Sequence, residues 1–433
     1  MQTVVLAAGT GKRVFPLAVN KPKPMFKIVG KPLLEHVIET LKESSLTDFI
    51  IVVGHNAEQI KDYFGDGKKF SVRIRYAYQK EALGMANALQ SAEDMINDDF
   101  FVVNADDVFE SMLIKEMMKE HRQGEITLSC KPVEETWKFG IIKTEDYRVT
   151  KFVEKPAKGE EPSNLAVIGV YILTKKIFDY YKKIPVSDKQ YEDAVQAFID
   201  DGGIVRAVSY DGFFSAYKYP WDLFTIDKFL MKGKSAINSK IPSSAVVDGN
   251  CIIDSGVRIM ENACIRNSYI GKNVVIGNNA LILDSSIGDN SVIGFSTEIK
   301  NSIIGERCWF HQNYIGDSII SDNCSFGAGT VTANLRFDEK TINVRIEGKE
   351  IDSGLNKFGA IVADGCRTGI NSSTMPGVKI GPNSIIGPNV CLTEDLEPNK
   401  MILVDKKSYS LKENPIETKD RRELMERLLR YKK

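Results

Sequence analysis

No stretch of about 18 consecutive apolar residues occurs in this 433-residue chain, which argues against a membrane-spanning helix. Charge of one sign is not in excess either. Lys plus Arg number 57 and Asp plus Glu 58, so a net charge of −1 offers no electrostatic footprint for nucleic acid. The seven cysteines are odd in number and form no CxxC pair, which argues against a disulfide scaffold or a zinc site. The opening MQTVVLAAGTGKR has an apolar stretch too short, and too soon broken by glycine, for a signal peptide. Together these absences predict a cytoplasmic protein with no membrane and no nucleic-acid partner. What is present is a 43% hydrophobic content, enough for a large core, and a length that suggests two or three domains at roughly 150 residues each.

Glycine and cysteine are unevenly spread. Of the 33 glycines 18 follow Ile241, as do six of the seven cysteines. The small and polar stretch GKSAINSK reads as a linker, giving domains at 1–232 and 241–394, a linker at 233–240 and a tail at 395–433. Before the linker, β-branched runs at Thr3–Ala7, Phe49–Val53, Arg73–Tyr78 and Phe100–Asn104 alternate with helical patterns at Pro32–Glu43 and Ala86–Asp94. That alternation predicts an α/β domain with a mostly parallel sheet, whose ligands sit at the carboxyl ends of the strands. After the linker an apolar residue recurs every five or six positions, from Ile270 through Ile276, Ile282 and Ile287 to Phe326, usually followed by Gly and then a polar pair. Steps of three give 270, 287, 304 and 320. The pattern predicts a solenoid of three-stranded coils with an inward apolar residue and Gly or Asn at left-handed corners. Cys251, Cys308 and Cys324 fall where the repeat takes a small inward side chain, so they read as packing. The tail from Glu417 has the spacing of a short amphipathic helix.

Leu6-Ala-Ala-Gly-Thr-Gly-Lys-Arg13, with Lys21-Pro-Lys23-Pro downstream, leaves a strand and enters a turn. Its glycines allow close approach of an anion, and Arg13 and Lys23 add positive charge. It is not a Walker loop, because Arg follows Gly-Lys where Ser or Thr would stand. The whole string resembles the signature of the sugar-1-phosphate nucleotidylyltransferases, and the resemblance extends over about 230 residues. It implies a Rossmann-like domain in which Leu6, Ala7, Ala8, Gly9, Gln79 and Gly84 bind the nucleotide and Arg13 and Lys23 are catalytic. Gly140, Glu154 and Lys155 would hold the sugar phosphate, and Asp106 (or its neighbour Asp107) and Asp222 would hold Mg²⁺. Met85 stands where the family usually has Thr, and Ala105 where it has Gly.

Four histidines are present. His36 and His121 read as structural or solvated, and His55 sits at a strand end. His311 interrupts the repeat where glycine is usual, with Tyr314 three residues on. The stretch from His311 through Phe326-Gly-Ala-Gly-Thr330 and Asn334 to Lys340 resembles one branch of the hexapeptide-repeat acetyltransferases, the acetylating half of the bifunctional amino-sugar enzymes. The resemblance implies a left-handed parallel β-helix and a homotrimer, with the polar loop 336–357 reaching a neighbouring subunit. It makes His311 the base, Lys300, Tyr314 and Lys340 the holders of sugar phosphate, and places Asn334 and Ala328 by acetyl-CoA. Leu283, Ser325 and Leu335 depart from the family's Arg, Asn and Tyr. The function implied is acetyl transfer from acetyl-CoA to glucosamine-1-phosphate, then uridylyl transfer from UTP to the product, giving UDP-N-acetylglucosamine. Two alternatives are a glucose-1-phosphate uridylyl- or thymidylyltransferase with a β-helix that only oligomerises, and a non-catalytic regulatory subunit.

Overall fold

The computed structural model describes residues 1–54, 56–405 and 413, so His55 and the tail helix lie outside the described residues. Among the described residues no helix is long and apolar enough to cross a membrane. The four β-branched runs form β1 (Gln2–Leu6), β2 (Asp48–Val53), β3 (Arg73–Tyr78) and β4 (Phe100–Asn104). They pair in parallel, and β2 and β4 are buried on both faces, as their unbroken apolar runs require. Helices α1 (Leu33–Glu43), α2 (Ala57–Phe64), α3 (Met85–Gln90) and α4 (Ser111–Glu120) accompany this half. The helix read at Ala86–Asp94 divides into α3 and a 3₁₀ turn at Glu93–Met95.

The sheet then grows by β5 (Ile126–Pro132), β6 (Gly140–Glu145), β7 (Arg148–Glu154), β8 (Leu165–Leu173) and β9 (Val205–Ser209). The order is β3-β2-β1-β4-β8-β5-β9-β7-β6 in nine strands. Strand β8 runs antiparallel to both β4 and β5, so the second half of the sheet is mixed while the first is wholly parallel. Helices α5 (Ile177–Tyr181), α6 (Gln190–Asp200) and α7 (Asp222–Met231) complete the domain.

From Ala236 the chain winds into three parallel sheets of eight short strands each, a β-helix. The ladder joins Ile270, Ile287, Ile304 and Ile320 in turn, the residues picked out by the repeat. Their side chains form one inward column with Ile276, Ile293, Phe310 and Phe326. The left-handed corners belong to asparagine more than glycine: Asn267, Asn273, Asn279, Asn290 and Asn323 all have φ between 47 and 59°. The glycines that follow the inward isoleucines do something else. A Cβ on Gly288 would lie 2.5 Å from the carbonyl carbon of Gly305 in the next coil, so glycine there permits coil-to-coil contact. Cys251, Cys308, Cys324 and Cys366 are buried in the column as free thiols.

One face of the β-helix is buried on both sides. Its outward column is Tyr269, Ser286, Ile303, Ile319, Ile361 and Lys379, joined in register, and none is more than 5% exposed. The N-terminal domain covers it. Ile303, Ile319 and Ile361 share a cluster with Val14, Leu17, Phe26, Ile28 and, on α7, Leu223 and Phe224. Ser286 donates to Asp227 of α7, and burial pushes that carboxyl up to about 7. The loop expected to reach a neighbouring subunit instead folds back on its own chain. Its hairpin, Asn343–Ile346 with Lys349–Asp352, places Ile342, Val344 and Ile346 in the same cluster as Val14 and Leu17. Alternating apolar residues at 342, 344 and 346 supply the side that docks.

Candidate active sites

The carboxyl ends of β1 and β4 open into a cavity of about 580 Å³. Leu6, Ala7, Ala8 and Gly9 leave β1 along one wall, with Arg13, Lys23, Gln79, Gly84 and Asp106 around it. The Gln79 amide is fixed: its Nε2 donates to Asn87 Oδ1 at 2.9 Å and to the Gly84 carbonyl at 3.2 Å. Gly84 has φ 94°, which suits glycine, and begins α3. Lys23 Nζ lies 2.5 Å from Asp106 Oδ2, donates to the Tyr217 carbonyl and sits 4.9 Å from the Tyr217 ring centroid.

A second cavity of about 770 Å³ adjoins the first, and Arg13 and Asn104 line both. Lys155, Asp107 and Asp222 face it, with Phe139, Trp137 and Tyr171 as apolar walls. Gly140 and Glu154 stand behind this lining. A Cβ on Gly140 would meet the Phe152 ring at 2.7 Å and the Glu154 carboxylate at 2.9 Å. Glu154 in turn holds Lys155 Nζ at 2.9 Å. Asp222 Oδ2 accepts from the backbone N–H groups of Lys218 and Tyr219 at 2.7 and 2.6 Å. Burial raises its pKa despite those bonds. Burial, with Asp106 beside it, also pushes Asp107 well up, and Asn104 Nδ2 donates to it at 2.8 Å.

Asp106 thus lines the first cavity, paired with Lys23, and Asp222 the second, which adjoins it. Among the described residues no group of three or more His, Cys, Asp or Glu gathers as a ready metal cage. Two hard carboxylates fit Mg²⁺ only with phosphate oxygens and water completing its shell, which is the usual manner for that ion.

Three residues of this region escaped the sequence reading. Lys218 lies 4.6 Å from the Phe139 ring centroid, and burial lowers its pKa against the pull of Asp107 and Asp222. Glu192 of α6 is pushed up to about 7 by burial, and its Oε2 has no hydrogen-bond partner among the described residues. Glu347, at the tip of the β-helix hairpin, lines the first cavity. A signal for Lys218 was present in its setting, a lysine set among aromatics in Tyr217-Lys218-Tyr219-Pro220-Trp221. Glu347 had none, since only the tertiary fold brings it there.

On the β-helix, Tyr314 pairs in register with Glu298, and Lys300 with Gly316. Asn334 Nδ2 donates to the Tyr314 hydroxyl at 3.3 Å and to Asp317 Oδ2 at 2.5 Å. Asn301 donates to the other oxygen of Asp317 at 2.6 Å, so this unpredicted aspartate orders the group. His311 occupies the preceding corner, exposed, with its backbone N–H on Asn313 Oδ1 at 2.6 Å. Ala328 and Lys340 are exposed, and Lys340 N–H reaches Asp338 at 3.4 Å. The structure therefore brings Tyr314 and Asn334 together. No hydrogen bond among the described residues joins the His311 ring to them. His36, by contrast, is half-buried against the Ile28 carbonyl, which accepts at 2.9 Å, and desolvation lowers its pKa to about 4.

Sheet domain, phosphate-type loop and repeat solenoid together define a nucleotidyltransferase carrying a hexapeptide-repeat acyltransferase half. The nucleotidyl transferase family matches residues 2–221, the GMPPB C-terminal domain 232–323 and the bacterial transferase hexapeptide (six repeats) 359–394. The Bifunctional protein GlmU of Methanococcus maripaludis strain C7 is 37% identical over 410 residues, spanning 93% of this chain and 97% of the relative. The Bifunctional sugar-1-phosphate nucleotidylyltransferase/acetyltransferase of Sulfurisphaera tokodaii is 32% identical over 416 residues, spanning 92% of this chain and 98% of that one. A solved UDP-glucose pyrophosphorylase complexed with UDP-glucose overlies 54% of this chain and 99% of its own, at 25% identity and TM-score 0.48. The chain belongs to the bifunctional GlmU family.

Proposed function

We propose that the chain makes UDP-N-acetylglucosamine in two steps, with acetyl transfer at the β-helix, whose strands run from Ala236 to Ile402 and so take in part of the stretch read as linker and part of the tail, and uridylyl transfer in the sheet domain (1–232). The observation that carries the reading is the pair of adjoining cavities, with Arg13 common to both and Lys23 at Asp106. One cavity suits a nucleoside triphosphate and the other a sugar phosphate. A fixed Gln79 amide leaves its carbonyl oxygen to accept from the imide N–H of uracil. The sugar phosphate oxygen attacks the α-phosphorus of UTP, and the bond to the β-phosphate breaks to release pyrophosphate. Lys23 and Lys155 draw the two anions together, and Arg13 offsets charge on the leaving group. Asp106 and Asp222 would hold Mg²⁺, which when bound screens phosphate charge. Burial of Lys218 strengthens its field at the sugar cavity.

In the β-helix half, the glucosamine amine attacks the acetyl-CoA thioester. The C–S bond breaks, and the amine proton passes to His311 and on to the departing sulfur, so that coenzyme A leaves as the thiol. Lys300, Tyr314 and Lys340 bind the sugar phosphate, with Asn334 and Ala328 beside acetyl-CoA. The reading includes a homotrimer, supported by Leu335 and Phe337, exposed apolar side chains close in sequence to Asn334. A second subunit there would bring His311 the partners it lacks in one chain. Seven free thiols support a reducing, cytoplasmic setting.

The test uses the full chain in two assays, thiol release from acetyl-CoA with glucosamine-1-phosphate, and pyrophosphate release from UTP with N-acetylglucosamine-1-phosphate. His311→Ala is expected to lower thiol release at least about a hundredfold, the usual scale of a general base, while sparing pyrophosphate release. Thiol release at the wild-type rate in that variant, or its absence in the wild type, would refute the two-site reading.

A further inference from the structure

The two lysines of Lys21-Pro-Lys23-Pro face opposite ways. Lys23 turns to Asp106 and the reaction cavities, whereas Lys21 turns into the β-helix. Its ammonium lies 2.7 Å from Asp322 Oδ2 and 3.1 Å from Asp364 Oδ1, and donates to Ser321 Oγ at 3.2 Å. Only 14% of the Lys21 side chain stays exposed. The two aspartates sit at equivalent corners of successive coils and cannot swing freely. Asp322 Oδ1 accepts from the Glu306 backbone at 2.9 Å, and Asp364 Oδ1 accepts from the Asp322 backbone at 3.0 Å and from the Ser321 hydroxyl.

The segment they grip has little structure of its own. Between Gly11 and Phe26 it has only the short 3₁₀ turns Lys12–Val14 and Lys23–Met25. Such a segment opens easily unless something outside it supplies contacts. The β-helix supplies them along its length. Lys379 Nζ lies 5.4 Å from the Phe15 ring centroid, Val14 and Leu17 pack with Ile342 and Val344, and Lys27 pairs with Glu306 at 2.5 Å. Pro22 and Pro24 fix their own φ angles, so Lys21 and Lys23 stand on a stiff link and a shift at one is felt at the other.

We propose that the β-helix sets the geometry of nucleotidyl transfer, with Lys21 as a positioning residue that, clasped by Asp322 and Asp364, holds Lys23 in register with Asp106. The inference rests on the proposed uridylyl transfer. It makes one half of the chain a structural partner of the other half's chemistry.

The test compares full-length wild type, Asp322→Asn/Asp364→Asn, Lys21→Met and Lys21→Arg. Asparagine can keep the Oδ1 acceptor of each corner, and it replaces the other carboxylate oxygen with an amide NH2, which removes the charge of both residues and the acceptor that Asp322 offers to Lys21. The double variant and Lys21→Met are expected to lower kcat for pyrophosphate release at least about tenfold, as misplacement of a positioned group does, with KM for UTP changed far less. Lys21→Arg restores most of the rate, and thiol release from acetyl-CoA stays at the wild-type level in all four proteins. An unaltered kcat in the double variant overturns the proposal. So does a parallel fall of both activities, which would mean general loosening. A wild type that releases no pyrophosphate would overturn the proposed uridylyl transfer itself, a result separate from either.

Discussion

Ile319 offers a direct measure of how firmly the two halves are joined. It points outward from the β-helix, where a repeat residue would ordinarily meet water, yet it is 0% exposed beneath the sheet domain. Ile319→Ala removes three carbons. At about 0.8 kcal/mol per buried methylene the transfer loss is about 2.4 kcal/mol, and the cavity left behind brings the whole to about 2–5 kcal/mol. Val275→Ala, at a half-buried outward position on another face, is the reference and costs under about 1 kcal/mol. Guanidinium unfolding followed by tryptophan fluorescence reads the difference. Trp221 reports the junction, because it packs edge-on against Phe358 at 6.0 Å, and Trp137 and Trp309 are replaced by Phe in both variants so that it alone is read. The expected result is a lower midpoint for the Trp221 transition in Ile319→Ala. Equal costs for the two variants would refute the claim that the sheet domain covers this face in solution.

Two further outcomes follow from the same interface and from the coil geometry. Burial raises the folded-state pKa of Asp227 to about 7, above an unfolded value of about 3.9, so the fold keeps a proton that the unfolded chain releases. Stability from that proton is full below about pH 4 and lost as the pH rises to about 7. Asp227→Asn should therefore gain on the wild type in thermal midpoint between pH 5 and pH 8, and a constant difference across that range would contradict the assignment. Gly288→Ala should destabilise by about 1–3 kcal/mol, because its Cβ would lie 2.5 Å from the Gly305 backbone, measured by thermal unfolding; a neutral result would show that the coils can move apart.

Much of this architecture was legible in the sequence for a simple reason: it rests on local period. Phe100 through Val103 are apolar throughout because both faces are covered, and the isoleucines at 270, 287, 304 and 320 recur because each fills the same place in a coil. The nucleotide wall from Leu6 to Arg13 was equally readable, being contiguous in the chain. What escaped depends on contacts between distant segments. Glu192 and Glu347 belong to no period or motif, and Asp317 keeps the repeat's corner position, so its bond to Asn334 could be known only from the fold. The docking of the hairpin within loop 336–357 on its own sheet domain was not legible, because its alternating Ile342, Val344 and Ile346 announce a docking side without naming the surface it meets.

Repeat proteins ordinarily change length by gaining or losing a unit, since each coil touches only its neighbours. The column from Tyr269 to Lys379 removes that freedom here. Deleting or duplicating a coil within it would carry Asp322 and Asp364 past Lys21, and Ser286 past Asp227, by the spacing of one strand, about 4.8 Å. Evolution can add coils before Tyr269 or after Lys379 at little cost, but between them the count of turns is locked to the footprint of the sheet domain.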